Sequence, residues 1–312
     1  MAFAFSPFFE YHCRLASFKG LGTGSVRQAL GQPILHPVSI SYEVSPVAAK
    51  GQTASGNPAS WYHLRTHRSA LAFKRLERDR QSKIALGSTL ETIRGQKHIT
   101  VIHSDAAAAK IPPCSVDSVV TDPPYFDRVH YDDLAGPLNA WMGWCGASTP
   151  SKGFGAQSVD RDTFSKALHA CFEMCCVALK PQGRILFTYH HQDIDAWVAL
   201  AEALRPLPLV GDGLVLIPGE MPNALVKQRA RTPISHDAVL CLTKGKKRGT
   251  PKAAVRRAVR IARSAMKGSK KLLFGDKLSA AYAAATLVYL RIDSKALTAR
   301  DMLMQVRREL GL

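Results

Sequence analysis

The chain has 312 residues, 46% of them hydrophobic, with 42 Lys and Arg against 24 Asp and Glu and a formal net charge of +18. That is enough chain to bury a sizeable core, and the absence of an apolar run near ~18 residues excludes a membrane-spanning chain. The cationic excess points to a polyanionic partner, nucleic acid first, or else to a solvated basic face. MAFAFSPFFEYH, at the start, has neither a basic stretch nor a small-residue cleavage site, so no signal peptide is expected. The seven cysteines are odd in number and contain no CxxC pair. A reducing, cytoplasmic setting is expected rather than a disulfide framework, and no zinc-type spacing is present.

Three regions follow one another. Residues 1–95 are rich in Gly, Ser and Pro and end in a basic helix around SALAFKRLERDR (69–80). Within them, SFKGLGTGSVRQALG (17–31) alternates three glycines and then reads as the first turn of a helix. Glycines ahead of a helix N-terminus let backbone N–H groups approach a nucleotide-type ligand.

Residues 96–244 alternate apolar strands with helices, the pattern of a sheet with crossover connections. HITVIHSD (98–105) reads as a strand ending in Asp105, followed by a small helix and a turn at Pro112–Pro113. SVDSVVTDPPY (115–125) is a second strand. In 162–180, Phe164, Leu168, Phe172, Cys175 and Leu179 recur at helical spacing, and Pro181 and Gly183 are expected to stop that helix. A strand over 183–190, a helix over 195–204 and a last strand over 237–244 complete the core. Residues 245–312 are expected to form a basic helical tail, in which Arg256, Arg260, Arg263 and Lys267 fall at helical spacing. They are either a stripe for phosphates or a solvated face.

TDPPY (121–125) carries the chemistry. Two prolines cannot continue a central strand, so Pro123 and Pro124 turn the backbone out at the strand's carboxyl end, where open α/β sheets bind ligands. There Asp122 and the carbonyl of Pro123 offer two acceptors for an exocyclic amino group, and Tyr125 offers a ring face for an unstacked base. Acceptors on its hydrogens localise the amino lone pair, so the nitrogen can attack an electrophilic methyl. Positioning and electrostatics would supply most of the acceleration.

D/N/S-P-P-Y/F/W at a strand end resembles the motif of the S-adenosylmethionine-dependent DNA amino-methyltransferases. The longer block SVDSVVTDPPYFDRVHYDDLAGPLNAW (115–141) is similar to large adenine-specific DNA methylases at Phe126, Asp127, Val129, Tyr131, Asp133, Leu134 and Trp141. Residues 187–204 and 219–242 resemble that family's following strand, helix and final loop, and KQRARTP (227–233) would face DNA. Gly136-Pro137 and Arg128 depart from the family pattern, which bears on the substrate.

The resemblance implies a Rossmann-like methyltransferase sheet, S-adenosylmethionine as cofactor, DNA as partner, and adenine before cytosine as target. It also implies that Ser104 and Asp105 meet the cofactor adenine, unless Asp105 only caps the next helix. Phe18, Gly20 and Gly22 match the inner part of the family's glycine loop, and Glu43 stands at the distance of its ribose-binding acid. The strand and acid that should precede the loop are missing, since YHCRLAS places Arg14 there. The stretch is thus either the cofactor loop or a structural or DNA-facing loop. In the second case the sheet is incomplete at its cofactor end, and a second subunit or a preceding segment carries the loop. A non-catalytic DNA-binding subunit, or an RNA or protein amino-methyltransferase, are the other readings.

Cys171, Cys175 and Cys176, with His169, are expected in the core rather than on a metal. His190 and His191 follow a strand near the motif, as site residues or as an ordinary loop end.

Overall fold

A computed structural model describes residues 17–18, 26–27, 87–97, 99–102, 104–126, 140, 143, 160–219, 233–269, 271–294 and 296–312. They fall into two compact units: Met1–Gly87, Gly95–Thr100 and Arg128–Ser158 in one, Ser88–Arg94, Val101–Asp127 and Val159–Leu312 in the other.

The first unit contains two short strands, β1 (Ser17–Phe18) and β2 (Val26–Arg27), paired antiparallel with Ser17 opposite Arg27 and Phe18 opposite Val26. Val26 and Arg27 are extended where the sequence leads one to expect a first helical turn, and a β-branched valine suits a ladder.

The second unit opens with α1 (Thr89–Ile93), whose N-cap Ser88 exchanges hydrogen bonds with Glu91 in a capping box. A single 3-10 turn follows at Ala106–Ala108. The strand expected over 98–105 is not formed among the described residues there, and Val101 is 80% exposed. A run of β-branched residues is extended only if a neighbouring strand takes up its ladder.

The rest alternates as expected: β3 (Val116–Thr121), α2 (Arg161–Ala178), β4 (Leu179–Tyr189), α3 (Ile194–Leu204), β5 (Leu209–Pro218) and β6 (His236–Lys244). The chain is thus α/β, with a four-stranded mixed sheet in the order β3-β4-β6-β5. β3 and β4 are parallel, with α2 as their crossover, and β6 runs antiparallel to both β4 and β5. β5 is an element the sequence reading did not include.

Helix α2 is capped by Asp160, which accepts from the N–H groups of Asp162 and Thr163, both at 3.0 Å. It ends at Ala178, before Pro181, and passes straight into β4. Pro181 lies in the register irregularity of the β3–β4 pair, between Leu179 and Arg184, where its missing N–H breaks no regular ladder. Phe164, Leu168, Phe172 and Cys176 form the buried face of α2, so Cys176 takes the place expected for Cys175.

The core lies on one face of the sheet. Leu179, Ile185, Phe187 and Tyr189 of β4 and Ala238, Leu240 and Leu242 of β6 are buried in one cluster with Trp197 and Leu200 of α3. On the other face Val120 and Val215 are 80% and 59% exposed.

Residues 245–312 are not an appendage. They form α4 (Pro251–Lys267), α5 (Phe274–Tyr289) and α6 (Ala299–Glu309), within the same unit as the sheet. Almost every residue of α5 is buried, because it packs on β5 and β6 and is flanked by α3, α4 and α6. The approach to β5 is so close that a Cβ on Gly211 would stand 2.5 Å from the carbonyl oxygen of Leu287. Among the described residues no helix is long and apolar enough to cross a membrane.

Candidate functional site

β3, β4 and β5 point the same way, so their carboxyl ends and the start of β6 share one end of the sheet. The site is built there by register. Thr121 pairs with Phe187 in the parallel β3–β4 ladder, so the next residue, Asp122, comes beside Thr188. Tyr189 pairs with Ala238 in the antiparallel β4–β6 ladder, which brings His190 to Asp237.

The hydrogen bonds follow from that placement. Oδ1 of Asp122 accepts from the Tyr125 hydroxyl at 2.8 Å and from the Thr188 hydroxyl. Both donors use the same oxygen, and among the described residues none donates to Oδ2. Asp122 is exposed, while Pro123 behind it is buried and fixes the bend. A rigidly held carboxylate thus presents one open acceptor to solvent at the strand end.

Tyr125 is half-buried and packs edge-on against Tyr189 and His190, with ring centroids at 5.1 and 4.7 Å. Burial first, and the hydrogen bond to Asp122 second, push its phenol far above the usual range, so the hydroxyl remains a donor. Tyr189 stacks edge-on with Trp197 at 4.9 Å, and Trp197 donates its indole N–H to the His191 carbonyl at 3.0 Å. Nδ1 of His190 lies against Oδ1 of Asp237. Buried His191 accepts from the N–H of Asp193, the N-cap of α3.

A second carboxylate anchors the same sheet end. Asp276, at the start of α5, is fully buried. It accepts from the N–H and hydroxyl of Ser235, the N–H of His236 and the N–H of Leu273, at 2.7 to 2.9 Å. This ties the beginning of β6, and hence Asp237, to the helix.

The four residues of the motif, Asp122, Pro123, Pro124 and Tyr125, therefore stand together at a strand end. Of the residues expected at the cofactor, Ser104 and Asp105 bond within their own turn. Asp105 accepts from the N–H of Ala107 at 2.9 Å and caps the 3-10 turn. Ser104 is exposed and bonds the carbonyl of Asp105. Phe18 belongs to the β1–β2 ladder of the other unit, and Gly20, Gly22 and Glu43 lie outside the described residues, as do Arg128, Gly136, Pro137, most of the aromatic block after Phe126 and residues 220–232.

Burial raises the thiols of Cys171 and Cys175 and pushes that of Cys176 up to about 12. Inert, protonated thiols of this kind belong to packing, and the described residues contain no metal-binding group.

Thr188, His190 and Asp237 were not singled out as partners of the motif from sequence. Alternation along FTYH puts Thr188 and His190 on one side of the strand, which is the available signal. No protein-family model matches the chain, and no curated protein matches it.

Proposed function

We propose that the chain supplies the target-base site of an S-adenosylmethionine-dependent DNA amino-methyltransferase. One observation carries the reading: Asp122 is pinned through Oδ1 by Tyr125 and Thr188 at the carboxyl end of a parallel strand, and no donor among the described residues reaches Oδ2. An exocyclic amino group donating to Oδ2 has its lone pair turned away from the ring, which makes the nitrogen a nucleophile. The acceptor is fixed before the substrate arrives, so little reorganisation accompanies the reaction. The parallel β3–β4 pair with its helical crossover supports a Rossmann-like arrangement, and the net charge of +18 supports a nucleic-acid substrate.

A second reading draws on a different observation. No strand is named among the described residues of 98–105 and Asp105 caps a turn, so the chain in this reading is the target-base or DNA-binding half of an enzyme whose cofactor loop lies on another subunit or segment.

The test is methyl transfer from labelled S-adenosylmethionine to duplex DNA, comparing the wild type with Asp122→Ala. Loss of at least about a hundredfold, the scale of one preorganised polar contact at a reacting centre, is expected. Full retention by the variant overturns the assignment. Calorimetric titration with S-adenosylmethionine, with and without DNA, separates the two readings: the second gives no heat from this chain alone.

A further inference from the structure

We infer that the outward face of α4 is a track for the sugar–phosphate backbone of duplex DNA, distinct from the strand ends that hold Asp122. Helix α4, PKAAVRRAVRIARSAMK, contains no Asp or Glu. Its inner side is made of Ala254, Ala258 and Ala262, each 3% exposed or less, which let it lie close on α5. Its outer side carries Arg256, Arg260, Arg263 and Lys267, all exposed.

At a rise of about 1.5 Å per residue these four cations span roughly 16 Å, with neighbours about 4.5 to 6 Å apart. Phosphates of one duplex strand advance about 3.4 Å each along the axis, so over roughly 16 Å the row meets more phosphates than it has cations. The four side chains line one groove of about 580 Å³, floored by Val255 and Val259. The carboxylate at its rim, Glu309, is not within ion-pair distance of them, and among the described residues no other acid is either. Four like charges on one helix face, with Glu309 beside them and none ion-paired among the described residues, repel one another, and a polyanion relieves that repulsion.

The chemistry selects among polyanions. Three of the four are arginines, whose planar guanidinium matches phosphate oxygens bidentately. α4 has no aromatic residue on which the bases of a single strand would stack. It presents no large apolar side chain outward for a lipid surface. A straight row of regularly spaced cations fits a stiff, regular duplex.

The helix packs beside β5, the sheet edge opposite β3 in the order β3-β4-β6-β5. Three inter-strand spacings, about 14 Å, separate that edge from the strand bearing Asp122. A duplex can touch both within one helical turn of about 34 Å.

The experiment is a salt titration of full-chain binding to two fluorescent duplex DNAs of unrelated sequence, with a single-stranded DNA and a duplex RNA in parallel. The variant combines Arg256→Gln, Arg260→Gln, Arg263→Gln and Lys267→Gln, which keep helix propensity. A charge-matched control combines Arg94→Gln, Lys110→Gln, Lys166→Gln and Lys277→Gln, all exposed positions elsewhere. For the α4 variant the slope of log K against log salt is expected to become shallower by about 3 to 4 on both duplexes, at about 0.9 per phosphate lost. The control is expected to move it by less than about 1. An unchanged slope, an equal change in the control, or a change confined to single strands or RNA overturns the inference. No cofactor or methyl transfer enters the assay, so its failure is separate from failure of the catalytic reading.

Discussion

The hydroxyl of Thr188 donates to Oδ1 of Asp122 across the β3–β4 boundary, so the orientation of the motif's carboxylate is fixed by a residue on the neighbouring strand. Thr188→Val removes that donor at nearly constant volume, and Tyr125→Phe removes the other while keeping the ring. Each is expected to lower methyl transfer roughly tenfold, the worth of one hydrogen bond to a charged group at about 1.5 kcal/mol. Tyr125→Ala also removes the aromatic surface and costs a further ~1–3 kcal/mol if a base stacks there. Single-turnover rates with labelled cofactor donor measure all three, and equal rates for wild type and Thr188→Val would refute the role of that contact.

Asp276 is the next residue whose change has a defined sign. It is fully buried and accepts from four donors on two elements. Asp276→Ala leaves those donors unpaired in the interior and is expected to lower stability by roughly 3–5 kcal/mol. Asp276→Asn keeps one acceptor oxygen and is expected to lose about half as much. Urea denaturation followed by Trp197 fluorescence gives both numbers.

Alkaline pH should weaken the fold in a way that Cys176 partly accounts for. Its thiol rises from 9.0 to about 12 in the folded chain, chiefly through burial. A raised folded value means that the protonated form is favoured on folding, so this contribution is complete below about 9 and is lost as pH climbs toward about 12. The urea midpoint is expected to fall between about pH 8.5 and 10.5, and to fall less steeply in Cys176→Ala. Equal slopes would show that the thiol has no part in it.

What the sequence made legible was local. Pro123 and Pro124 mark the end of β3 because a proline pair cannot stay in a ladder, and the apolar spacing of Phe164, Leu168 and Phe172 marks α2 for the same kind of reason. β5 was hidden because Gly211, Gly213 and Pro218 interrupt its apolar alternation. Gly211 is explained by what lies on the strand: Leu287 leaves no room for a side chain there. Asp122 could be chosen from its own neighbours in the chain. Thr188 and Asp237 could not, and His190 only as one of two readings of a strand end near the motif, since their roles come from pairings between distant strands. The residues 98–105 show the opposite limit. Their composition favours a strand, yet among the described residues only Ile99 makes a bridge, and Asp105 turns to the nearest free amide instead.

The close fit of Gly211 against Leu287 also bears on how the molecule is assembled. β5 gains one neighbour only when β6 has been made and its cover only when α5 has been made, far later in the chain. During synthesis, the sheet whose end holds Asp122, Thr188 and Asp237 therefore lacks this cover until α5 leaves the ribosome. The basic row on α4 emerges before α5, so it comes out ahead of the helix on which it is seated. The α4 row and the strand end bearing Asp122 thus reach their folded setting only after the same late segment is made.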